Sequence, residues 1–112
     1  LKNGRRADLA GLDKRGDIVI AEVKSSIADY QSDTKWREYL DHCDRFYFAV
    51  AETFPHEVLP QDQGLIIADR YGAEIIRPAA TNKVNAARRK ALILKFARTA
   101  ADRLRATTDP PV

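Results

Sequence analysis

Ala7-Asp8-Leu9-Ala10-Gly11-Leu12-Asp13-Lys14-Arg15-Gly16-Asp17-Ile18-Val19-Ile20-Ala21-Glu22-Val23-Lys24 decides the fold of this chain. Ala7–Leu12 and Asp17–Lys24 are short, apolar and partly β-branched, and both read as strands. Between them Lys14-Arg15-Gly16 reads as a three-residue hairpin loop, with glycine in the left-handed position at its end. That loop sets Asp13 opposite Asp17 and, counting back, Asp8 opposite Glu22. Alternation puts Ile18, Ile20, Glu22 and Lys24 on one face of their strand. Two carboxylates and an ammonium therefore converge on one patch of sheet. Facing carboxylates repel. A divalent cation relieves the repulsion, since Mg²⁺ is commonly held by one or two carboxylates plus water and phosphate. The bland alternative is a strand-edge Asp8 and a solvated Glu22–Lys24 pair.

Asp8, thirteen intervening residues and Glu22-Val23-Lys24 resemble the PD-(D/E)XK motif of nucleases with the restriction-endonuclease-like fold. Arg6-Ala7 stands where the motif name has proline, a position that varies widely in that superfamily. A longer string resembles the MmcB-like family more narrowly. It runs from Asn3-Gly4-Arg5-Arg6-Ala7-Asp8 through Glu22-Val23-Lys24-Ser25-Ser26 and Asp33-Thr34-Lys35-Trp36 to Cys43-Asp44-Arg45-Phe46-Tyr47-Phe48-Ala49-Val50. Gly64-Leu65-Ile66-Ile67-Ala68-Asp69 and Tyr71-Gly72-Ala73-Glu74 fit as well.

The resemblance implies an α/β fold with a restriction-endonuclease-like mixed β-sheet flanked by helices, and a role in bacterial DNA repair. It implies a Mg²⁺- or Mn²⁺-dependent nuclease hydrolysing DNA phosphodiester bonds. Asp8, Glu22 and Lys24 would be catalytic, and Asp8, Glu22 and the Val23 carbonyl would hold the metal. Lys35, on a helix beside the metal site, becomes a phosphate contact. Two other readings stand beside it: a catalytically inactive module binding DNA or a repair partner, and an α/β interaction domain with solvated hairpin charges.

One hundred and twelve residues, 45% of them hydrophobic, make one domain spanning residues 1–112. Folds of this type open with a helix and a strand before the Asp-bearing strand. The chain starts on leucine and has no methionine, so an upstream helix and strand are expected to be missing, unless the sheet is completed in another way. A single cysteine excludes an internal disulfide and fits a cytoplasmic location; Cys43 reads as a small buried residue. No apolar run is long enough to span a membrane. Neither His42 nor His56 sits at zinc-ligand spacing, and no glycine-rich loop suggests a nucleotide.

Residues 1–82 carry 11 Lys+Arg against 14 Asp+Glu, a net −3; residues 83–112 carry 8 against 2, a net +6. The partners implied are DNA and, as one option, a second copy of the chain.

Ser25–Gln31 reads as a polar connection. Ser32 reads as the N-cap of a helix over about 33–42, with Trp36 and Leu40 facing the sheet and Lys35 and Tyr39 on its flank. Arg45–Ala51 reads as a central strand, Glu52–Gln63 as a loop or short turn, and Leu65–Ala68 and Ala73–Ile76 as a second hairpin. A basic helix over 85–106 has Ala86, Ile93, Phe96, Ala97, Ala100 and Leu104 on one face. Arg88, Lys95, Arg98 and Arg105 lie on the other, and the first three are candidate DNA contacts. Thr107–Val112 reads as a frayed end.

Overall fold

A computed structural model describes residues 8–108. Five strands form one mixed sheet in the order β1-β2-β3-β4-β5: β1 Leu9–Leu12, β2 Ile18–Val23, β3 Arg45–Val50, β4 Gly64–Asp69 and β5 Gly72–Arg77. The outer pairs are antiparallel hairpins, and β2, β3 and β4 run parallel. Parallel neighbours need a crossover. Helix α1 (Ile27–Ser32) and a 3₁₀ helix (Trp36–His42) supply the first; the second contains only a 3₁₀ turn, His56–Val58. Helix α2 (Ala86–Thr108) closes the chain. The α/β architecture expected from the sequence is the one observed.

The first hairpin is built as its residues require. Asp13 N–H donates to the Asp17 carbonyl at 2.9 Å, and Gly16 takes φ 79°. The Asp13 carboxylate accepts from Arg15 and Asp17 N–H, which stiffens the three-residue loop. Leu9 pairs with Ala21 and Leu12 with Ile18; one further step sets Asp8 opposite Glu22. Ala7, assigned to this strand from sequence, lies outside the described residues.

The core lies on one face of the sheet. Ile18, Ile20, Phe46, Phe48, Val50 and Leu65 pack against Trp36, Tyr39 and Cys43. Trp36 stacks on Phe46 and meets Phe48 edge-on, at centroid distances of 5.6 and 5.1 Å. Gly64 is needed for a close approach: a Cβ there would lie 2.5 Å from the Tyr47 ring and 2.8 Å from Ala79.

Three expectations need correcting. Helix α1 starts six residues before the expected one, because the Ser26 hydroxyl caps Asp29 N–H at 3.0 Å. Ser32 is thus the last residue of α1, not an N-cap, and extended backbone at Asp33 separates α1 from the next turn. Second, Trp36–His42 winds as a 3₁₀ helix, whose three-residue repeat aligns Trp36 with Tyr39. Tyr39 is consequently a core residue, 3% exposed, rather than a flank. Third, α2 docks through Leu92 and Phe96, whereas Ile93 and Leu104 are exposed. Thr107 and Thr108 continue that helix. Residues 109–112, expected as a frayed end, lie outside the described residues.

Charge fastens α2 to the sheet. Asp44, just before β3, is fully buried and accepts from Ile18 N–H at 2.6 Å and Val84 N–H at 2.9 Å. The Arg89 guanidinium reaches both of its oxygens. Beside it, buried Asp17 pairs with Arg45 and Lys83.

Candidate active site

Glu22 and Lys24 lie at the opposite end of β2 from Asp44, and both point to the core face. They are 5% and 6% exposed, so neither is a solvated surface charge. Lys24 N–H donates to the Ala49 carbonyl at 3.0 Å, which carries the β2–β3 pairing to this end. Asp8 reaches over from the head of β1, and its Oδ2 accepts from Val23 N–H at 2.9 Å. The amide and carbonyl of one strand residue point to the same side, so the Val23 carbonyl also turns toward Asp8.

These groups, with Asp29, Ser32, Asp33 and Tyr39, line one polar pocket. Glu22 Oε1 is buried there without a hydrogen-bond partner among the described residues. Burial pushes the Glu22 carboxyl up to about 7, and the hydrogen bond and charge of Asp8 add to the shift. Burial works the other way on Lys24, but its bond to Asp33 outweighs that and holds the ammonium above the usual lysine range. Lys24 Nζ lies 2.7 Å from Asp33 Oδ2.

The donor set fits a hard divalent cation. It offers two carboxylates and a carbonyl, all oxygen, with one carboxylate oxygen buried and unsatisfied. No group of three or more His, Cys, Asp or Glu side chains forms a protein cage among the described residues. Mg²⁺ does not need one, since it keeps waters and takes phosphate oxygens.

The structure therefore brings Asp8, Glu22, Val23 and Lys24 together. Lys35, Arg88, Lys95 and Arg98 do not line this pocket. Lys35 is exposed after α1, and Arg88 donates to the Asp41 carbonyl at 3.0 Å, docking α2. Sequence reasoning missed Asp33 and Asp29 as pocket residues. Only the Ser26-x-x-Asp29 cap pattern could have found the turn that delivers them. Cys43 is buried, as expected, and burial pushes its thiol up to about 12, with the Asp44 charge adding to this.

Fold and site define a mixed-sheet α/β domain with an acidic pair and a lysine at the end of one hairpin. The chain belongs to the MmcB-like family, described as DNA repair protein MmcB-like, whose model matches residues 1–111. It is similar to a solved structure, the SPO1766 protein of unknown function from Silicibacter pomeroyi. The two are 53% identical with a TM-score of 0.88, over 96% of this chain and 73% of that one. Among curated proteins none matches. No helix of the described residues is long and apolar enough to cross a membrane.

Proposed function

We propose that the protein is a Mg²⁺- or Mn²⁺-dependent deoxyribonuclease of DNA repair, hydrolysing phosphodiester bonds at the Asp8–Glu22–Lys24 pocket. The observation that carries this reading is Glu22 Oε1, buried and partnerless beside a second carboxylate. An acid kept in that state without a ligand costs stability. Family membership in DNA repair supports a nucleic-acid substrate.

Asp8, Glu22 and the Val23 carbonyl would hold the cation. When bound, it supplies Lewis-acid polarisation of a phosphoryl oxygen and a more acidic water. Lys24 remains an ammonium, so it serves the developing phosphate charge and orients the nucleophile by hydrogen bonding. The pocket is acidic, which makes phosphate entry depend on the cation.

The test is Mn²⁺ calorimetry beside nicking of plasmid, single-stranded and branched DNA, with EDTA as control. Glu22→Gln and Asp8→Asn should lose both metal binding and cleavage. Lys24→Ala should keep metal binding and lose cleavage. Full nicking by Glu22→Gln would sink the assignment to this site. Metal binding without nicking on every substrate would favour a non-catalytic module that binds DNA or a repair partner.

A further inference from the structure

We infer that Asp33 is a positioning residue: its carboxylate fixes the end of the Lys24 side chain in the pocket. This rests on the nuclease reading only for its effect on cleavage; the hold on Lys24 is a property of the fold itself.

The geometry is specific. Lys24 is the residue after β2, and its side chain continues the core face of Ile18, Ile20 and Glu22. A lysine stem has four rotatable carbons and no preferred end point. Here the end point is set by a carboxylate at the break between α1 and the 3₁₀ helix. Asp33 Oδ2 takes the ammonium at 2.7 Å, with the two side chains 6% and 8% exposed. Asp33 Oδ1 accepts Lys35 N–H at 3.0 Å, which orients the carboxylate in turn. Both oxygens are thus engaged, in contrast to Glu22 Oε1, and Asp33 is the partner that holds the lysine. Asp29, the other acid on this side, is engaged as well: its carboxylate accepts from Ser25 N–H and hydroxyl and holds the turn after Lys24.

The ion pair is nearly closed to water, so no solvent competes for the end of the Lys24 side chain, and without Asp33 that end would have no fixed place.

The test measures Lys24 directly. Acetylation by acetic anhydride, followed by peptide mass spectrometry, reports how accessible each amine is. In wild type, Lys24 should acetylate at least about tenfold more slowly than exposed Lys90 at pH 9. Asp33→Asn should raise its rate toward that of Lys90, and Asp33→Glu should restore most of the protection. Nicking by Asp33→Asn should fall at least about tenfold, in kcat more than in KM, with Mn²⁺ affinity within about twofold of wild type. Asp33→Glu should recover most of the lost nicking. Lys24 as reactive as Lys90 in wild type would overturn the inference, even if Asp33→Asn failed to fold. So would unchanged Lys24 reactivity in a folded Asp33→Asn, or raised reactivity with full nicking. A wild type that nicks no substrate would fail the nuclease reading alone, and the acetylation profile would still decide whether Asp33 holds Lys24.

Discussion

Asp44 Oδ2 accepts the amide of Ile18 at 2.6 Å, so one carboxylate pins the start of the strand that carries Glu22 near its other end. The two acids are opposites. Asp44 is saturated by two amides and the Arg89 guanidinium; Glu22 leaves one oxygen unsatisfied.

Asp44 should be a stability residue with an acid signature. Burial opposes its ionisation, but Arg89 and the Val84 and Ile18 amides outweigh that and hold the carboxyl at about 2, against 3.8. The unfolded chain therefore binds more protons between those values, and stability should fall as pH drops from about 4 to 2, by on the order of 2 kcal/mol. Asp44→Asn should destabilise the fold at pH 7 by about 3 kcal/mol, since it strands Arg89. Urea titration of both proteins across this pH range checks it; a variant as stable as wild type contradicts the pinning role.

Glu22 should show the reverse slope. Its folded value of about 7 lies above the ordinary 4.5, so the folded state binds more protons between these limits. Without metal, stability should fall as pH rises through that window, by on the order of 2 kcal/mol, and Glu22→Gln should flatten the fall. At pH 8 in EDTA the variant should melt above wild type, and Mn²⁺ should raise only the wild type. Melting curves at pH 5 and pH 8, with and without Mn²⁺, decide this.

The exposed basic face of α2 should contribute salt-dependent DNA affinity if it tracks the backbone. Lys95→Gln and Arg98→Gln should each lower the log–log salt slope by about 0.9, independently of sequence. Arg88→Gln also removes a bond that docks the helix, so it should cost stability as well. Fluorescence anisotropy at several salt concentrations measures the slopes; unchanged slopes mean a merely solvated face.

Gly64→Ala should destabilise by about 1–3 kcal/mol, since the new methyl meets the Tyr47 ring and Ala79. Denaturant unfolding measures this, and a neutral result would mean that the two strands yield there.

The sheet was legible because its signals are local. The Asp13–Asp17 loop fixes its own register, and Asp8 faces Glu22 as a result. The aromatic and β-branched Arg45–Val50 run reads as a central strand, and it is one. The crossover was harder, because Ser25–Gln31 reads as a polar connection, whereas the Ser26 hydroxyl accepts from Asp29 N–H and starts α1 within it. Tyr39 was misread because a four-residue period was applied to a three-residue turn. Asp33 was missed for a related reason. Its bond to Lys24 spans nine residues and depends on where α1 stops. Arg89 was passed over because a guanidinium reads as solvated until a buried acid such as Asp44 is seen opposite it.

The head of β1 has one more consequence. All four residues of that strand are exposed, Leu9 by 60%, and among the described residues β1 has a neighbour on one side only. Among the described residues Asp8 therefore adjoins an exposed outer strand, which is expected to open more readily than the interior strand that carries Glu22. Anything gripping both carboxylates couples a fraying edge to a rigid interior, and its concentration sets how often the edge is closed. Amide exchange at Leu9–Leu12 should thus slow with added Mn²⁺ while exchange across Phe46–Val50 stays constant.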